Sequence, residues 1–371
     1  MGGHALKKVT LVRLPKEIYQ KVESCVVDKY LQLELNVFVT RYLDSKLDFG
    51  DLDLIVETPP GFDIKASIQK LFEPVEIVAN GNVFSFSYLV DKGLEDVDSS
   101  DPRYFQIDII SVPPEDFVNS KFYFSYGDMG AIIGAITKHW GFSFGGNGLT
   151  YDVCASEGDH TTSLSKIVVT KDPYEVCEIT GLDPGILTEW LGARQDSPSG
   201  LPGGQSKLTE TDLFDWVTGS RLFYPEFWSS RSKKWNYENR SRLKDRPMYQ
   251  RFIYQYLPKK FGWEVDLRGV SVEDRIDMVP PEVRREFTHD VLTRYNKMDL
   301  VNKVLEDKRL SLLAKSRFNG KIVSEVLGIE KKELQAKMIE LKTRHPDTLG
   351  NVSWLVSDER TEEDILSLVR S

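Results

Sequence analysis

The segment Phe49-Gly50-Asp51-Leu52-Asp53-Leu54-Ile55-Val56 places two carboxylates, two positions apart, at the head of an apolar run. The apolar run predicts a strand over residues 52–56, closed by Pro59-Pro60. Side chains alternate along a strand, so Asp51 and Asp53 share a face with Cα atoms roughly 6.6 Å apart. Magnesium takes oxygen donors of this kind and bridges them to substrate phosphates. A third acid, Asp108, lies within Phe105-Gln106-Ile107-Asp108-Ile109-Ile110. An ionised carboxylate in an apolar strand is costly unless it is paired or metal-bound. With that strand beside the first, three carboxylates meet at one site. Two metal ions held there would activate an attacking hydroxyl and stabilise a leaving pyrophosphate. The alternative reading of Asp-x-Asp is a solvated turn.

The elements that must position these acids can be read from apolar spacing. Residues 11–43 read as one or two amphipathic helices, with Ile18, Tyr19, Val22 and Val26, then Leu31, Leu33, Leu35 and Phe38, at mostly helical intervals. Residues 63–72 suit a short helix. Residues 75–79 and 83–90 flank Asn80-Gly81 and predict a hairpin. Residues 104–112 form a further strand, ended by Pro113-Pro114. This pattern defines an α+β head over residues 1–118. A mixed extension follows over 119–204, with helices at 130–139 and 172–182. Its glycine-rich stretch at 141–149 reads as a turn between a helix and a strand, and 197–204 is the clearest linker. Residues 205–371 are expected to be mostly helical.

A second chemical signal spans residues 231–251. Arg231, Lys233, Lys234, Arg240, Arg242, Lys244, Arg246 and Arg251 face only two acids there, with Trp235, Tyr237 and Tyr249 interleaved. Cations on phosphates and aromatic rings on bases are the physics of single-strand nucleic-acid binding. The same cations would equally suit a triphosphate, and a solvated face with core aromatics is the structural alternative.

Gly50-Asp51-Leu52-Asp53, followed by Asp108, resembles the nucleotidyltransferase superfamily with a DNA polymerase β-like palm, over about residues 1–115. The opening Met1-Gly2-Gly3-His4-Ala5-Leu6 is similar to the start of superfamily members from fungi and large viruses. The resemblance implies a mixed-sheet palm, two Mg²⁺ or Mn²⁺ ions on Asp51, Asp53 and Asp108, and an NTP, such as ATP, as substrate. It implies nucleotide contacts at Gly2, Gly3 and Gly50. The superfamily's Gly-Ser or Gly-Gly motif follows a strand, whereas no strand is read before Gly2-Gly3 here, so Ser45 and Lys46 are alternative phosphate contacts. Residues 317–329 with the helix at 331–343 are similar to the C-terminal helical region of CCA-adding enzymes and bacterial poly(A) polymerases. Together with the basic segment, this points to an RNA 3′ end, tRNA-like, as acceptor. A protein or small-molecule acceptor, and a catalytically silent RNA-binding protein, remain open.

Composition sets the outer bounds. The 371 residues are 40% hydrophobic and 28% charged, with net charge −9, an ordinary globular balance that weighs against a histone-like DNA binder. No apolar run approaches the roughly 20 residues of a membrane span. Cys25, Cys154 and Cys177 are odd in number and unpatterned, so no disulfide and a reducing, cytoplasmic compartment are expected. His4, His139, His160, His289 and His345 show no ligand spacing.

Overall fold

Leu52, Leu54 and Val56 alternate with Asp51, Asp53 and Ile55, so one face of the strand needs a helix layer along its whole length. The computed structural model, which describes residues 5–90, 103–157, 160–192, 205–228, 246–262 and 278–371, supplies one. Five strands, β1 (Val37–Val39), β2 (Asp51–Glu57), β3 (Ile77–Asn80), β4 (Val83–Leu89) and β5 (Tyr104–Val112), make a mixed sheet in the order β1-β2-β5-β4-β3. Only the β2–β5 pair is parallel. Helices α1 (Lys16–Leu31) and α2 (Ile64–Phe72) cover one face. There Leu52, Leu54, Val56, Ile107 and Ile109 pack with Tyr19, Val22, Val26, Tyr30, Ile64 and Ile68. On the opposite face Ile55, Ile110 and Val112 pack with Phe117 of α3 (Pro114–Phe124).

Two expectations change here. The helical spacing read across residues 11–43 holds only to Leu31. Glu34 takes a left-handed φ of +57°, and Val37 to Val39 pair with Val56 to Leu54 as a strand. Two β-branched residues around Phe38 favour that pairing over helix. In the hairpin, Asn80 pairs with Val83, so Gly81 and Asn82 make the turn. Gly81 accepts φ +62° there without a side-chain clash.

Beyond α3 run α4 (Met129–His139), β6 (Phe142–Gly145), β7 (Gly148–Glu157) and β8 (His160–Thr170). The last three form a separate sheet in the order β8-β7-β6. Helix α5 (Pro173–Thr180) has an Asp172 cap, Pro at the first turn and Gly181 at φ +69°. It is followed by α6 (Leu187–Leu191), α7 (Glu210–Thr218), α8 (Pro247–Arg251), a π turn at Phe252–Tyr256, α9 (Leu257–Phe261) and α10 (Pro281–Arg294). Five helices close the chain: α11 (Met298–Arg317), α12 (Gly320–Leu327), α13 (Lys331–Arg344), α14 (Val352–Val356) and α15 (Glu362–Arg370). They share a core of Phe318, Val323, Leu341, Leu355 and Ile365. The chain is thus α+β with a helical C-terminal part. It divides into two compact units, residues 1–151 with 168–295, and residues 152–167 with 296–371. The sequence boundaries at 118 and 204 both fall within the first. Among the described residues no helix is long and apolar enough to cross a membrane.

Candidate metal centre

The parallel register of β2 and β5 sets Asp53 opposite Asp108 and Asp51 opposite Gln106. From the other side of β5, β4 sets Ser85 opposite Asp108 and Ser87 opposite Gln106. The face that carries Ile55 and Ile110 under α3 therefore turns polar towards the starts of these strands. There one carboxylate oxygen from each of Asp51, Asp53 and Asp108 lies within 4.8 Å of the others. Oxygens on one octahedral magnesium, with bonds of about 2.0–2.1 Å, stand roughly 2.9 to 4.2 Å apart. Side-chain rotation has to draw the oxygens together from this separation to reach that spacing. An all-carboxylate donor set suits a hard ion such as Mg²⁺ or Mn²⁺ rather than zinc, which prefers nitrogen and sulfur.

The electrostatics show what the cluster lacks without a cation. Burial pushes the Asp53 carboxyl well above the ordinary range, and the charges of Asp51 and Asp108 push it further. Asp108 is pushed up to about 6, first by burial and also by Asp51, against hydrogen bonds from Ser85 and Gln106 that favour the ionised form. Desolvation and like charge both act against ionisation, and a bound cation reverses both.

Two basic side chains border the acids. The Lys46 ammonium sits over the Phe49 ring, 4.4 Å from its centroid. Desolvation lowers its pKa, while Asp51 and Asp53 raise it. Arg13 makes a bidentate pair with Asp48, at 2.8 and 3.0 Å. That bond raises its pKa, with a smaller contribution from Asp51. Phe49, just ahead of the acid pair, stacks on Tyr19 with centroids 3.7 Å apart, which ties the start of β2 to α1.

Of the residues singled out in the sequence, the structure brings together Asp51, Asp53 and Asp108, with Lys46 in their field. Gly50 is buried beside Asp51, and Ser45 is exposed. Gly2, Gly3, Arg231, Lys233, Lys234, Trp235, Tyr237, Arg240, Arg242 and Lys244 lie outside the described residues. Arg246 is half-buried at the start of α8. Tyr249 is a correction to the stacking reading. It is buried, and its N–H donates to Asp128 at 3.1 Å, so its ring belongs to the core. Arg251 is held by Glu210 through two bonds of 2.7 and 2.6 Å.

Three neighbours escaped the sequence reading: Gln106, Ser85 and Arg13. Gln106 donates from Nε2 to both oxygens of Asp108, at 2.9 and 3.0 Å. Its position two residues before Asp108 on a strand was the available signal. No protein-family model matches the chain, and no curated protein matches it either.

Proposed function

We propose that the protein is a metal-dependent nucleotidyltransferase that moves NMP from an NTP to an acceptor hydroxyl, with an RNA 3′ end as the favoured acceptor. One observation carries this reading: three carboxylates from adjacent parallel strands present oxygens within 4.8 Å of one another on the sheet face that α3 covers further along. This is the arrangement a polymerase β-like palm would have. Asp51, Asp53 and Asp108 would hold two Mg²⁺ or Mn²⁺ ions. Such ions neutralise phosphate charge and acidify the attacking hydroxyl. The acceptor oxygen attacks the α-phosphorus, the bond from that phosphorus to the β-bridging oxygen breaks, and pyrophosphate leaves. Asp108 would complete the metal set and take up the hydroxyl proton. Lys46 and Arg13 would steady the β- and γ-phosphates as point charge and planar fork, respectively.

Incubation with α-labelled NTPs, Mg²⁺ or Mn²⁺ and total RNA tests the reading, with Asp53→Asn as control. Label in RNA that depends on Asp53 is the expected result. Label on protein or metabolite would move the acceptor, and no Asp53-dependent label anywhere would overturn the assignment.

A further inference from the structure

Gln106 is 2% exposed, and both ends of its amide are used. The NH₂ end donates to the two oxygens of Asp108. The carbonyl end, Oε1, accepts the backbone N–H of Ala5 at 3.0 Å. A backbone N–H can only donate, so it fixes which end of the amide faces it. With Ala5 in place the carbonyl must point to the N-terminal segment and the NH₂ to the carboxylate. Without that N–H, rotation of the amide would bring a carbonyl against an anionic acid, and Asp108 would lose two donors.

The segment that supplies this N–H is itself pinned down. Leu6 is buried. The N–H groups of Lys7 and Lys8 both donate to one oxygen of Glu76, at 2.9 and 2.8 Å. The Glu76 N–H in turn donates to Ser87, which stands opposite Gln106 in the sheet. Further on, the Val12 N–H donates to the Tyr104 carbonyl at the start of β5. Residues 5–12 thus lie along the end of the sheet that bears the acids, and their innermost contact is with Gln106.

We infer that Gln106 is a positioning residue for Asp108, and that docking of the N-terminal segment through the Ala5 N–H sets how tightly the acid cluster holds a divalent cation. The inference rests on the metal-site reading of the three acids. It does not require that the acceptor be RNA. Residues that orient metal ligands typically change affinity by about 10–100-fold when removed.

The test is Mn²⁺ titration of the full chain without nucleotide, followed by electron paramagnetic resonance of the free ion, with melting curves in chelator alongside. Gln106→Met keeps the volume and removes the amide. Ala5→Pro removes the N–H, while also fixing φ at that position, and leaves Gln106 and all three acids intact. Each is expected to weaken Mn²⁺ binding about tenfold. The double variant should bind within about twofold of Gln106→Met alone, because both changes break one chain of contacts. Ala5→Pro keeps the test decisive should Gln106→Met unfold. Wild-type Mn²⁺ affinity in folded Ala5→Pro, or losses that multiply in the double variant, would overturn the inference. A wild-type chain that binds no Mn²⁺ would instead overturn the metal-site reading itself.

Discussion

Asp108→Asn separates the two roles of a half-buried acid, because it should stabilise the metal-free protein while removing its function. The Asp108 carboxyl is raised from 3.8 to about 6, so the folded chain binds this proton more tightly than the unfolded one. The contribution of this group to the stability of the metal-free protein is therefore greatest below about pH 4, falls as pH rises through about 6, and is level above that. An upward displacement of this size corresponds to about 3 kcal/mol once the group is ionised, and relaxation around the site brings the usable figure to about 1–3 kcal/mol. Asparagine has nearly the same shape, keeps an oxygen for Gln106 or Ser85, and carries no charge. At about pH 8 in chelator the variant should melt roughly 3–10 °C above wild type, and the gap should close towards about pH 4. Added Mn²⁺ should raise the melting temperature of wild type and leave the variant nearly unmoved, since ligand binding to the folded state is what stabilises it. Differential scanning calorimetry across the pH series reads both effects. A variant less stable than wild type in chelator at about pH 8, or one that responds to Mn²⁺ as wild type does, would refute the reasoning.

Other outcomes follow from the same geometry. Leu54→Ala, next to Asp53 but pointing into the core under α1, should destabilise the fold by about 2–5 kcal/mol by denaturant melts, whereas Asp53→Asn should abolish transfer and keep the fold. Lys46→Ala and Arg13→Ala should raise the KM for NTP more than they lower kcat in steady-state assays. The exposed Arg13–Asp48 pair should contribute less than about 1 kcal/mol to stability. Replacing Arg240, Arg242 and Lys244 with Ala should weaken RNA binding and flatten the slope of log affinity against log salt by about 2 for a single strand. Unchanged affinity across the salt series would return that segment to a solvated face.

The acid site was legible because its signals are local and periodic. Asp51 and Asp53 open an apolar strand, and Asp108 interrupts another, so alternation alone put each on a sheet face. Their meeting depends on parallel pairing of β2 with β5, which no short window of sequence contains. Where periodicities overlap, the reading slipped. Leu33, Leu35 and Phe38 fit a helical spacing, yet the left-handed turn at Glu34 and the pairing of Val37 and Val39 make a strand. The β6–β8 sheet was under-read because its glycines suggested only a turn. Gly148, at φ +105°, instead opens β7. Tyr249 and Arg251 show the limit of composition: an aromatic and a cation within a basic segment are a core ring and a partner of Glu210. Gln106 shares a strand face with Asp108 by its spacing of two, but that spacing alone does not show its role, which emerges only when its two partners, Ala5 and Asp108, are seen together.

The central claim is that Asp51, Asp53 and Asp108 hold divalent ions against a nucleoside triphosphate. An anomalous difference map from crystals grown with Mn²⁺ and a non-hydrolysable NTP analogue tests it most directly. Manganese peaks ligated by oxygens of all three carboxylates, with the triphosphate bridging them towards Lys46 and Arg13, are expected. Manganese bound elsewhere on the chain, with these three carboxylates unligated in the presence of the nucleotide, would contradict the claim.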